Sequence, residues 1–278
     1  MLNFSFDSSV DICNVTGVND KTVSEIVIPD YVTSIESSAF KDCFALQCIT
    51  LPFIGASKTA EKGYDQVLGY IFGYTISHGS AINGAICQYN SNNDFYCYYI
   101  PISLKTVILS DNVTSICSSA FYNCSNLTNV TIPDSVTFIG NSSFRNCSNL
   151  TCVTIGNGVS SIGQSSFENC SSLTSVTIPD SVTTIENYAF YGCVRLNAIN
   201  VDTNNINYYS ENNCLIEKTT NTLILGCNNS VIPTGITSIG DFAFSKYINL
   251  SNVIIPEIPT FALSLLYSTE YSAKISIN

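Results

Sequence analysis

The chain has 278 residues, 45% of them apolar and only 11% charged, with a formal net charge of −11 and a pI near 4.3. So acidic a surface repels phosphate backbones and anionic membranes, which excludes nucleic acid as an expected partner. No stretch reaches the roughly 18 apolar residues of a membrane-crossing helix, so membrane insertion is not expected either.

Met1 to Val10 lack the basic start and apolar run of a secretory signal. Residues 1–19 depart from the pattern that governs the rest and read as an N-terminal cap. From residue 20 a 23-residue frame takes over. Phe40, Cys43 and Leu46 give its first copy. Phe121, Phe144, Phe167 and Phe190 then recur, each followed three residues on by cysteine (Cys124, Cys147, Cys170, Cys193) and six on by leucine (Leu127, Leu150, Leu173, Leu196). Phe244 and Leu250 give a last copy, with Tyr247 in the cysteine place. A period of this length marks a solenoid, whose coils each bury their apolar face only by stacking on neighbours.

Within one coil, Leu127, Val130 and Ile132 read as a short strand that ends at Pro133, which cannot donate to a ladder. Pro133, Asp134 and Ser135 make a turn. Val136 and Ile139 face inward, and Ser142 to Asn146 carries a buried Phe144 on a short helical or irregular segment. Ile26, Ile49, Val107, Val130, Val153, Val176, Ile199 and Val253 are the central strand positions. The expected fold is therefore a right-handed solenoid of leucine-rich coils, with one parallel β-sheet and short helical or irregular segments opposite it. Two steps, of 58 and 54 residues, exceed 23. They place a Tyr-rich insertion at 53–103 and a second at 202–229, between repeats at 20–52, 104–201 and 230–257, with a C-terminal cap at 258–278. The whole is read as a single array.

Thirteen cysteines are present. Those of the frame, Cys43, Cys124, Cys147, Cys170 and Cys193, are expected as packed, reduced thiols, because free cysteine behaves as a small hydrophobe. Cys48, Cys117 and Cys152 sit where they are more open to oxidation.

The segments IPDSVTFIGNSSFRNCSNLTCVTI (Ile132 to Ile155) and IPDSVTTIENYAFYGCVRLNAINV (Ile178 to Val201) resemble the BspA-like, or Treponema pallidum type, class of leucine-rich repeats. The resemblance covers Val23 to Pro256 apart from the insertions, and PFIGASKTAEKGYDQVLGYIFGY is similar to a segment found inside such arrays. It implies a secreted or surface-displayed protein of a host-associated microbe, adhering to host extracellular matrix, cell-surface proteins or other cells. An intracellular or secreted scaffold joining other proteins and a binding module of a longer enzyme are the alternatives.

Strand positions flanking the buried centre point outward. The resemblance nominates that face for binding, through Asn129, Thr131, Thr154, Ser175, Thr177 and Asn200. A threonine column is equally what a sheet selects for pairing. The Tyr-rich insertion is the stronger candidate for protein contact, through Tyr64, Tyr70, Tyr74, Tyr89, Tyr96, Tyr98 and Tyr99, since tyrosine gives large contact area at low ordering cost. The opposing reading is that these rings fold down as a satellite core. Removing the whole insertion is expected to leave the array folded. Asp111, Asp134 and Asp180 share a turn position and read as turn formers rather than calcium ligands.

No catalytic residue, cofactor or metal site is expected. The one histidine, His78, has no cysteine or carboxylate at metal-ligand spacing. Ser38 and Lys41 match a nucleophile spacing without its companion motifs, and the acidic residues are scattered one per turn.

Overall fold

A computed structural model describes residues 1–7, 12–59, 66–75, 85–90, 93–244, 253–255 and 275–277. Each 23-residue copy closes one turn of a parallel β-solenoid. Glu25–Val27, Cys48–Leu51, Thr106–Leu109, Asn129–Thr131 and Cys152–Thr154 pair in parallel and in register into a five-stranded sheet. Ser175–Ile178 pairs with Ala198–Val201 in the same sense. Between the two sheets the Thr174 N–H donates to the Thr151 carbonyl at 3.3 Å.

The strands alternate as their composition dictates. Val130 is buried between exposed Asn129 and Thr131, and Val153 between exposed Cys152 and Thr154. Cys48–Leu51 pairs directly with Thr106–Leu109, so the chain between them leaves the sheet without adding a strand to it. A second parallel ladder joins Phe138–Ile139, Ser161–Ile162 and Thr184–Ile185, with Ile116 bridged to Ile139. Sequence spacing shows Ile139 facing inward; its pairing is a structural addition.

The third side is made of turns, and the irregular alternative holds there. Ser119, Ser142 and Ser165, and Asn123, Asn146 and Asn169 four residues later, all have φ between 54° and 63°. Two left-handed residues per turn interrupt any right-handed helix. The amides are also committed elsewhere: Phe144 N–H donates to the Ser166 carbonyl at 2.7 Å and Asn146 N–H to that of Glu168 at 2.8 Å, each on the next coil. Among the described residues the only helical element is the 3-10 turn Leu68–Phe72.

The interior is built of columns. Phe121, Phe144, Phe167 and Phe190 stack with centroids 4.9, 5.2 and 5.3 Å apart and planes within 6° of parallel. Beside them the thiols of Cys147, Cys170 and Cys193 donate to the carbonyls of Phe121, Phe144 and Phe167 at 3.2 to 3.3 Å. Desolvation raises these thiols, Cys193 to about 12 and Cys124 and Cys170 well above the ordinary range. All five frame cysteines are buried free thiols, whereas Cys97 is disulfide-bonded. Outside the core, Thr128, Thr151 and Thr174 each donate a hydroxyl to the carbonyl one coil back, as do Thr137, Ser160 and Thr183. The many hydroxyls thus link coils as well as meeting water.

One coil replaces Pro-Asp-Ser with Gly156-Asn157-Gly158. The Asp134 carboxylate accepts the Asn157 N–H of the next coil at 2.7 Å, a link between coils rather than the local turn bond expected of that aspartate. A Cβ on residue 158 would lie 1.9 Å from the Asp134 carbonyl oxygen. Gly158→Ala is therefore expected to pry two coils apart and cost about 1–3 kcal/mol, read as a lower denaturant midpoint at unchanged slope.

Residues 202–229 form an antiparallel meander of Tyr208–Glu211, Cys214–Glu217 and Thr222–Leu225. Its first turn uses Asn212 and Asn213, both left-handed (φ 51° and 61°), the combination that matches strand twist. The last strand pairs in parallel with Ser238–Ile239, which closes a four-stranded sheet with the meander. At the other end Leu2–Asp7 pairs antiparallel with Ile12–Val18, which pairs in parallel with Ser34–Ile35. Tyr247 and Leu250 lie outside the described residues.

Candidate functional site

The strand face comes out as the alternation requires. Asn129, Thr131, Thr154, Ser175, Thr177 and Asn200 are all exposed, with Thr131 opposite Thr154 and Thr177 opposite Asn200. These six side chains are small and polar, and Val27 and Ile108 are exposed on the same face. That face offers none of the Trp, Tyr or Arg side chains that concentrate binding energy.

Relief lies on the turn side, in the Tyr-rich segment. The 3-10 turn Leu68–Phe72 occupies the place of a coil's turn: Ser38 and Phe40 N–H groups donate to the Tyr70 and Ile71 carbonyls at 3.2 and 2.8 Å, and Leu68 N–H donates to Ala120 at 2.8 Å. Leu68, Ile71 and Phe72 are buried, and the Phe72 ring stands 6.3 Å from that of Phe40. Leu104 fills the frame leucine slot, two residues before its strand. The segment is thus one enlarged coil, and deleting all of it would strip Phe40 and Ala120 of their neighbours. These contacts argue against the expectation that the array stays folded without it.

From this coil rises a three-stranded sheet. Asn93–Pro101 lies between Tyr74–Thr75 and Ala85–Asn90, antiparallel to both. Gln88 anchors it from a fully buried position: its Oε1 accepts the Gly69 N–H at 2.6 Å, and its Nε2 donates to the Ser119 and Ala120 carbonyls at 3.2 and 3.0 Å. Gly69 is required because a Cβ there would fall 2.2 Å from Tyr98 Cβ.

The tyrosines divide by environment. Tyr98 is 3% exposed and its ring meets Tyr74 edge-on at 5.8 Å, so it packs as core. Tyr70 is half-buried against the interior. Tyr74 is 48% exposed and Tyr99 half-buried. Tyr64 lies outside the described residues, as do the side chains of Tyr89 and Tyr96. Tyr74, Tyr99, Phe44 and Pro101 rim a groove of about 250 Å³ floored by Phe40 and Phe72, with Lys41 and Asp42 at its edge. Phe44 was not singled out from the sequence. The signal was available, since Phe44 takes the slot that Ser125, Ser148 and Ser171 fill in other coils.

Among the described residues no group of His, Cys, Asp or Glu could hold a metal, and no helix is long and apolar enough to cross a membrane. His78 lies outside them.

The family model for the BspA type leucine-rich repeat region matches six copies, over residues 7–61, 92–217 and 224–278. The chain belongs to the BspA-type leucine-rich repeat family. Among solved structures it is similar to a leucine-rich cell surface protein from Faecalibacterium prausnitzii A2-165, at 21% identity and TM-score 0.53 over 94% of this chain and 70% of that one. It is similar also to the pneumococcal vaccine antigen PcpA, at 16% identity and TM-score 0.56 over 91% of this chain and 62% of that one. No curated protein matches. This BspA-type array therefore spans about two thirds of the length of these structural relatives, with which it shares the leucine-rich solenoid, a protein-binding repeat architecture.

Proposed function

We propose that this BspA-type array is a non-enzymatic binding module, secreted or displayed on a cell surface, that adheres to a host matrix or cell-surface protein. Contact is made through the Tyr74 and Tyr99 groove in preference to the strand face. The observation that carries this reading is the aromatic rim, exposed Tyr74 and Phe44 with half-buried Tyr99, held on a coil locked by buried Gln88. Rigid aromatic anchors around a concavity are what protein interfaces use as hot spots. Disulfide-bonded Cys97 supports an oxidising location. The free thiols among the other described cysteines favour the second reading, an intracellular scaffold using the same groove. Surface labelling of intact cells separates the two.

The test immobilises the chain and its Tyr74→Ala/Tyr99→Ala variant and passes matrix and cell-surface extracts over both. We expect protein captured by the first to fall at least tenfold on the second, at unchanged melting temperature. Equal capture by both overturns the assignment to this groove and moves it to the strand face.

A further inference from the structure

The second interruption of the frame creates another groove on the turn side. Two residues before each buried phenylalanine the chain turns left-handed, at Ser38, Ser119, Ser142 and Ser165, with φ from 54° to 68°. In the two coils that flank the meander that slot holds Tyr188 and Phe242 instead, at φ 61° and 60°. Bulky residues rarely adopt this conformation, and here two of them do so facing each other. Their rings lie 5.1 Å apart, and Tyr191 stands nearly perpendicular to both, at 5.8 and 5.9 Å. Together they wall a groove of about 210 Å³ over Ile224, with exposed Glu186 and Asp241 on its lining. None of the lining residues is Lys or Arg.

We infer that this groove takes a Lys or Arg side chain presented by a basic segment of the protein partner. Aromatic faces attract a cation through the ring quadrupole, two carboxylates supply the opposite charge, and the net charge of −11 steers a basic segment towards the chain. The cavity suits one long side chain and is too small for a helix or strand. The assignment rests on the protein-binding reading and names the chemistry of the partner.

Serine is the frame's own residue at both positions, so Tyr188→Ser/Phe242→Ser preserves the fold and provides the control. A fluorescein-labelled hexa-arginine peptide, followed by anisotropy against the full chain, is expected to bind, and to bind at least tenfold more weakly to the double serine variant, whose melting temperature is unchanged or higher. Glu186→Gln/Asp241→Asn is expected to weaken binding at least threefold. Equal affinity for wild type and the serine variant would mean that the peptide senses net charge alone and would overturn the inference. So would no binding to the wild type, or a wild-type dimer that the serine variant dissociates, which would assign the groove to a second copy. Failure of the broader reading shows elsewhere, as absence of captured protein in the extract experiment, which the peptide titration does not touch.

Discussion

Phe144→Ala is expected to lower the stability of the array by about 3–5 kcal/mol, near the upper part of the range for large buried side chains. The ring is fully buried between those of Phe121 and Phe167, 4.9 and 5.2 Å away. Its loss opens a void that neighbouring coils cannot close. Their separation is held by hydrogen bonds that the Phe121 and Phe144 N–H groups donate to the Ser143 and Ser166 carbonyls, both 2.7 Å, which run alongside the stack. Denaturant unfolding measures the effect, with Phe138→Ala as comparison. Phe138 is 44% exposed, and its loss is expected to stay within about 0.5 kcal/mol.

Gln88→Leu is expected to cost about 2–3 kcal/mol, the penalty for one buried donor left without an acceptor. Three hydrogen bonds are lost but only one group is orphaned. Ser119 and Ala120 carbonyls keep the N–H groups of Tyr122 and Leu68, at 3.0 and 2.8 Å, whereas Gly69 N–H gives up its Gln88 partner. Gln88→Glu sharpens the test through pH. A buried carboxylate facing two carbonyls is disfavoured, so its folded pKa rises above the unfolded value. The protonated acid accepts from Gly69 and donates to a carbonyl as glutamine does. The variant should therefore approach wild-type stability below the unfolded pKa of about 4.3 and lose it as pH rises towards neutrality. A variant equally stable at pH 4 and pH 7 would show that residue 88 is hydrated.

The columns of Phe, Cys and Leu could be read directly because the same side chain recurs at the same place and apolar burial depends on side-chain identity. The turn side could not. Its form rests on the left-handed backbone of residues such as Ser142 and Asn146, and hydropathy carries no trace of dihedral angle. Gln88 escaped for a related reason: a polar residue in a tyrosine-rich stretch reads as surface until its partners, Gly69, Ser119 and Ala120, are brought together from 19 to 32 residues away. Tyr74 and Tyr98 are the same residue type in the same segment, yet one is exposed and the other buried. What divides them is the bare backbone of Gly69, which admits Tyr98. Tyr188 and Phe242 had a sequence signal, aromatic residues in a serine slot, but one that becomes visible only once the slot is known to be left-handed.

A repeated frame hides the same side chains in every coil. Timed alkylation with iodoacetamide under reducing, native conditions, resolved residue by residue by mass spectrometry, tests this most directly. Cys152, exposed on the strand face, should be modified first. Cys124, Cys147, Cys170 and Cys193, buried and held as thiols by desolvation, should stay unmodified until the array unfolds and then react together. Modification of any of these four at the rate of Cys152 in the folded chain would contradict the shared interior.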